Sequence, residues 1–324
     1  MPPEGIRAAG LVWYPDSEPG IRRHRHGRGF TYVAPDGTRI ERGPERRRLE
    51  RVGVPPAYSD VWMSPREDAH LQATGRDASA RKQYRYHERW SEYRARRKFE
   101  RLADFGRALP AIRAWTEETL RGEAGEHDFA VAAILRLMDV AALRVGAPHR
   151  AANGVFGATT LERRHMRLDG DRIELRYVAK GGRKVRKAIS DRTLAKALHA
   201  ADDLPGRRLA RWMQGGEAQG VSSEAVNARL AALAGEGATA KTFRTWNGTL
   251  AAFEVAEAAD GAPTIAAMVD AAAARLHNTP AVARAAYVHP KVIDLAEAPD
   301  ALSGLRGGPR ALGGTERRLV AYLS

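Results

Sequence analysis

The chain of 324 residues contains no cysteine. That excludes disulfides, thiol catalysis and thiolate-held zinc or iron–sulfur centres. No apolar run approaches transmembrane length, and Met1–Gly20 lacks the apolar core of a signal peptide, so a soluble, cytoplasmic protein with no membrane partner is expected. Also missing are a G-x-x-x-x-G-K-[ST] phosphate loop, an H-E-x-x-H pair and any Asp/Glu cluster suited to paired metal ions. Neither a cofactor nor a metal is therefore expected. Acidic residues are in short supply: 39 Asp and Glu stand against 53 Lys and Arg, leaving a formal net charge of +14. Such an imbalance favours a polyanionic partner, with nucleic acid the leading candidate. Hydrophobic residues make up 44% of the chain, enough for real cores, and the length suits two domains.

Residues 1–88 are poor in helical periodicity and rich in turn residues. Phe30–Val33, the turn Ala34-Pro35-Asp36-Gly37 and Thr38–Ile40 predict a β-hairpin. Val61–Met63 and Ala69–Thr74 predict two further strands. From Glu88 the pattern turns helical, with one interruption at 167–190. There Ile173, Leu175 and Tyr177 alternate with charged residues, Lys180-Gly181-Gly182-Arg183 makes a turn, and Val185–Ile189 returns as a second strand. Helices are expected over Asp128–Val145, Ala240–Ala258 and Thr264–His277, and Thr279-Pro280 supplies an N-cap and a first-turn proline for another. The glycines of 303–314 predict a flexible linker before a short helix, Thr315–Leu323. The expected class is α+β. It comprises a small β-rich domain (1–88), a mostly helical domain with a short β-hairpin (89–302), and a Gly-rich linker with a terminal helix (303–324).

Several stretches have chemistry beyond packing. Arg76–Arg101 holds ten basic residues against four acidic ones. Within it Arg76, Arg81, Lys82, Gln83, Tyr84 and Tyr86 interleave cations with aromatic and polar groups, a pattern suited to DNA sugars and phosphates. Lys241 and Arg244 stand at i and i+3 at the start of a helix, where two cations share a face already electropositive. They repel unless an anion lies between them, which makes this the best physical pointer to a phosphate site. Arg144 is expected at the end of the Asp128–Val145 helix, beside the turn at Gly146, where a guanidinium either complements the helix dipole or clamps phosphate oxygens. Lys180 occupies the hairpin tip, exposed and free to reach a groove and offer a proton. Tyr287, in Ala285-Ala286-Tyr287-Val288-His289-Pro290, is flanked by Arg284, His289 and, upstream, Asn278. A phenol with an ordinary pKa of about 10 becomes a usable nucleophile only among cations.

In combination these motifs resemble the type IB DNA topoisomerases, in their small bacterial and poxvirus-like form, from about Ile21 to Leu295. They include Gln72-Ala73-Thr74-Gly75-Arg76-Asp77, Arg81-Lys82-Gln83-Tyr84-Arg85-Tyr86, Leu143-Arg144-Val145-Gly146, Ala179-Lys180-Gly181, Thr239–Trp246 and Tyr287-Val288-His289-Pro290. The resemblance implies a C-shaped clamp on double-stranded DNA, in a monomer associated with the bacterial nucleoid. It implies that Tyr287 attacks a backbone phosphate to leave a 3′-phosphotyrosine, with Arg144 and Arg244 stabilising the transition state. Lys180, assisted by Lys241, would protonate the leaving 5′ oxygen. Asn278 stands where many relatives carry histidine; its amide can bond a phosphate oxygen but carries no charge. Two rivals share parts of the pattern. A tyrosine recombinase usually has His-x-x-Arg where this chain has Lys241-Thr242-Phe243-Arg244. A non-catalytic basic DNA-binding protein explains the charge but not the joint presence of Arg144, Lys180, Arg244 and Tyr287.

Overall fold

A computed structural model describes residues 5–324; Met1–Glu4, the start of the stretch scanned for a signal peptide, lie outside the described residues. The chain forms two compact units, Met1–Lys98 and Phe99–Ser324, in an α+β architecture. Among the described residues no helix is long and apolar enough to cross a membrane.

The first unit is built on a five-stranded antiparallel sheet: β1 (Ile21–His26), β2 (Gly29–Val33), β3 (Ser59–Met63), β4 (Leu71–Arg76) and β5 (Lys82–Tyr86), in the order β2-β1-β3-β4-β5. Helix α1 (Pro44–Arg51) lies between β2 and β3 in sequence. Ile21, Tyr32, Leu49, Val61, Met63 and Ala73 form the core. The expected Phe30–Ile40 hairpin is rudimentary, since Val33 and Arg39 form a lone bridge and the full ladder of β2 runs to β1. β1 carries no strand signature in its residues, because it buries one in six, Ile21, and so shows no alternation. Its place comes instead from pairing with neighbours on both sides.

Helix α2 (Glu88–Glu100) runs through the boundary between the units. The second unit then contains α3 (Leu102–Thr119), α4 (His127–Ala141), α5 (Pro148–Ala151), a three-stranded antiparallel sheet β6 (Met166–Asp169), β7 (Arg172–Ala179) and β8 (Arg183–Ser190), and α6 (Arg192–Ala200). A hairpin of β9 (Arg211–Gln214) and β10 (Glu217–Gly220) follows, then α7 (Ser223–Ala234), α8 (Ala240–Ala258), α9 (Ile265–Leu276), α10 (Pro280–Tyr287), α11 (Pro290–Ile293) and α12 (Gly314–Leu323). The helical stretch thus has two interruptions rather than one. The second turns at Gly215-Gly216, both at positive φ, a conformation that glycine adopts without steric cost.

One large core serves the whole unit. α4 is buried nearly all round, from Phe129 through Leu135 to Ala141, and Phe243, Trp246 and Phe253 of α8 pack in the same cluster. α12 belongs to this core as well. Leu319 and Val320 are buried, and Glu316 receives both terminal nitrogens of Arg113 at 2.7 Å while Arg113 also pairs with Asp139 of α4 at 2.8 Å. The glycine-rich segment before α12 is irregular, but Leu305 and Leu312 pack against the core.

Candidate active site

Five side chains from four parts of the second unit line one open pocket of about 330 Å3: Arg144, Lys180, Lys241, Arg244 and Tyr287. Arg150 joins them, and no Asp or Glu lines the pocket.

Tyr287 is the last residue of α10. That helix starts where expected, with the Thr279 hydroxyl accepting from the Val282 N–H at 3.3 Å and Pro280 in the first turn. The tyrosine backbone is docked onto α8. The Thr249 hydroxyl donates to the Tyr287 carbonyl at 3.1 Å and accepts from the His289 N–H at 3.1 Å. Gly248 lies beneath: a Cβ there would sit 2.9 Å from the Tyr287 carbonyl oxygen and 3.0 Å from its Cβ. The pair Gly248-Thr249 therefore sets how close the tyrosine comes to the helix that carries the cations. Neither residue stands out in the sequence, because a glycine and a threonine inside a helix have no chemical signature of their own.

The same helix opens at the Thr239 cap, places Lys241 in its first turn, exposed, and buries Arg244 one turn later. The Arg244 guanidinium carbon lies 5.0 Å from the centre of the Tyr287 ring. Its two terminal nitrogens donate to Ala142 O and to Leu276 O, the latter at 3.0 Å, while its Nε is buried without a partner.

Arg144 lies elsewhere than expected. α4 ends at Ala141, not Val145, and Ala142 takes the left-handed conformation at φ 52°. Arg144 is therefore in the extended segment after the helix, with no part in its last turn. That segment is pinned by backbone bonds from Ala158 N–H to Arg144 O at 2.8 Å and from Thr159 N–H to Val145 O at 2.7 Å. Gly157 allows this approach, since a Cβ there would lie 2.6 Å from Arg144 O. The Arg144 side chain donates to Asn278 Oδ1, and Asn278 Nδ2 is buried without a partner. Asn278 thus reaches the site through Arg144 and does not line the pocket. The other two neighbours expected at Tyr287 do not line it either: Arg284 is exposed, and His289 accepts from the Lys291 N–H and faces the Phe99 ring.

Lys180 sits exposed at the β7–β8 turn, where Gly181 and Gly182 both adopt positive φ. Among the described residues Arg144, Lys180, Lys241 and Arg244 form no ion pair with a carboxylate. Their charge is left to act on the phenol. Burial pushes the Tyr287 hydroxyl up, but Arg244, Arg144 and Lys241 outweigh it and hold the group below its ordinary value. Tyr177 on β7 gives the contrast, with burial carrying it up to about 12 in spite of Arg244 and Arg144. Arg244 itself is held low by burial and by Arg144.

The six residues expected to touch DNA lie on β4, β5 and the turn between them, in the first unit. Tyr84 and Tyr86 are exposed and stacked, ring centres 6.0 Å apart, with Lys82 over the first ring and Arg94 over the second. Three cations and the amide of this set bind acids: Arg76 to Asp60 at 3.3 Å, Arg81 to Asp77 at 3.3 Å, Lys82 to Asp16 at 2.5 Å and Gln83 to Asp77 at 2.9 Å.

A half-buried phenol ringed by unpaired cations, with orphaned donors on Arg244 and Asn278 close by, is built for a tetrahedral anion such as a phosphodiester. A family model of the catalytic core of eukaryotic DNA topoisomerase I matches residues 81–291, about two thirds of the chain, and one of the N-terminal domain of bacterial DNA topoisomerase IB matches residues 29–77. A DNA topoisomerase 1B of Acanthamoeba polyphaga mimivirus is 24% identical over 237 residues, which cover 71% of this chain and 70% of the viral protein. The chain belongs to the type IB DNA topoisomerases, enzymes of the isomerase class that bind DNA and change its topology.

Proposed function

We propose that the enzyme relaxes supercoiled duplex DNA through a 3′-phosphotyrosine, with Tyr287 as nucleophile and with no need of ATP or a metal ion. The phenolic Oη of Tyr287 bonds to the phosphorus as the bond from phosphorus to the 5′ oxygen breaks. The phenol proton passes to solvent, and Lys180, with Lys241 in the same pocket, supplies a proton to the departing 5′ oxygen. Arg144 and Arg244 neutralise the charge that builds on the non-bridging oxygens, and the Asn278 amide holds Arg144 in place for this. Resealing is the same path reversed. Because the phosphotyrosine conserves the energy of the phosphodiester, no nucleotide has to be hydrolysed. In the interval the free 5′ strand swivels and releases superhelical strain. Arg76, Arg81, Lys82, Gln83, Tyr84 and Tyr86 hold the duplex through its backbone, and one monomer suffices.

One observation carries this reading: the Tyr287 phenol shares one pocket with Arg144, Lys180, Lys241 and Arg244, and no acidic side chain lines it. The test is relaxation of a negatively supercoiled plasmid by the purified protein in excess EDTA without ATP. Full relaxation is expected under those conditions. Strict dependence on magnesium or on nucleotide would overturn it.

A further inference from the structure

Lys187 is a half-buried cation that the reaction just described does not use. It lies on β8, on the inward phase of Val185, Lys187 and Ile189, directly opposite Leu175 of β7. Its ammonium donates to Ala141 O at 2.6 Å and to Arg275 O at 2.9 Å. Arg244 binds the very next carbonyl in each case, Ala142 O and Leu276 O. Two cations thus form two successive rungs between the C-terminal ends of α4 and α9. The last carbonyls of a helix have no partner within it and carry its negative dipole end, which explains how both cations are accommodated without an acid.

Each helix leaves this bridge through a left-handed residue, Ala142 at φ 52° and His277 at φ 49°. Two residues beyond the first comes Arg144; one beyond the second comes Asn278; and those two side chains bond to each other. Lys187 differs from Arg244 in the element it brings. Arg244 belongs to α8, the helix onto which the Tyr287 backbone is docked, whereas Lys187 belongs to the hairpin whose tip is Lys180, seven residues away along β8 and its turn. The groups facing its ammonium are Arg244 of α8, Arg275 of α9 and His277 beyond α9, all basic.

We infer that Lys187 is a positioning residue that fixes the β7–β8 hairpin, and with it Lys180, against the two helix ends that present Arg144 and Asn278. This rests on the reading of Lys180 as the proton donor given above. Without the Lys187 bridge the sheet keeps its strand pairing but loses its only polar tie, among the described contacts of β8, to the ends of α4 and α9. The donor at the tip then loses register with the departing oxygen.

The experiment compares single-turnover cleavage of two DNA duplexes by the full chain. One is ordinary; in the other, sulfur replaces the departing 5′ oxygen, and a thiolate, whose conjugate acid has a pKa of about 8.5, leaves without a proton donor. Lys187→Met is expected to cleave ordinary DNA about a hundredfold more slowly, the penalty of an ångström-scale misplacement, with unchanged DNA affinity. On the sulfur substrate it is expected to match the parent within about threefold, as Lys180→Ala does, while Lys187→Arg recovers most of the rate on ordinary DNA. An equal defect on both substrates, or none on ordinary DNA, overturns the inference. If Lys187→Met does not fold, Lys187→Gln, which keeps a neutral amide donor on a shorter side chain, is put through the same comparison: slower cleavage of ordinary DNA alone supports the inference, and an equal defect or none overturns it. Lys180→Ala separates this from the reading beneath it. If that variant shows no rescue by sulfur, the role of Lys180 fails; if it does and Lys187→Met does not, only the Lys187 inference fails.

Discussion

The two cation-rich surfaces of this protein are wired in opposite ways. On the β4–β5 hairpin of the first unit Arg76, Arg81 and Lys82 are matched to Asp60, Asp77 and Asp16. In the pocket of the second unit Arg144, Lys180, Lys241 and Arg244 have no such partners, and the most buried of them is held by backbone carbonyls. A carboxylate partner is easily exchanged for a phosphate at a solvent-exposed site, where an ion pair contributes little. It would be ruinous beside a phosphodiester under attack, because it cancels the charge needed in the transition state. Exposed, exchangeable pairs suit binding a polyanion at any sequence; cations free of carboxylates, with one of them buried and anchored on backbone carbonyls, suit chemistry at one atom.

Removing a pocket cation is therefore expected to cost far more in rate than in binding. Arg244→Ala should lower single-turnover cleavage by about 100- to 1000-fold, the usual loss of one preorganised charge donor, with DNA affinity changed little. A change in affinity with an unaltered rate would give Arg244 a role in binding DNA instead.

The contrast sharpens in the pair Tyr287 and Tyr177, which feel Arg144 and Arg244 alike. Ultraviolet titration of the parent against Tyr287→Phe should show a phenol ionising below pH 10, whereas the parent-minus-Tyr177→Phe signal should appear only near pH 12. For Tyr287 the folded value lies under the unfolded one, so the unfolded chain binds the extra proton between them. Its contribution to stability is present above about pH 10 and is lost as pH falls through the folded value. Coincident titration of the two tyrosines would remove the distinction.

On the β4–β5 surface the expected effect is smaller and opposite in sign. Asp16 receives both Lys82 and the Thr74 hydroxyl. Asp16→Asn leaves an acceptor for Thr74 but frees the lysine, so DNA should bind about two- to fivefold more tightly, with a salt slope steeper by about 0.9. Unchanged affinity would show that Lys82 faces no phosphate.

Much of this is legible in the residues. The Thr239 and Thr279 caps, the Gly181-Gly182 turn and the i, i+3 spacing of Lys241 and Arg244 are local signals, and local signals place α8, α10 and the hairpin tip within a residue or two. The end of α4 is not legible. Apolar periodicity continues through Leu143, but Arg244 and Lys187 bind the carbonyls of Ala142 and Ala141, and the chain turns away there. The Arg244 contact joins residues about a hundred positions apart, and no window along the chain contains it. β5 and its tyrosines sit inside a run of cations whose charge masks the alternation of Gln83 and Arg85 with Tyr84 and Tyr86. Lys187 does leave a trace, as a lysine at an inward position of a strand, where burial of a charge demands a reason.

The most direct measurement is peptide mapping of the protein–DNA adduct trapped by denaturant during cleavage in EDTA. One modified peptide is expected, containing Tyr287 joined to a DNA 3′ phosphate, and no adduct from Tyr287→Phe, which should still bind DNA. An adduct on any other residue, or one that persists in Tyr287→Phe, would contradict it.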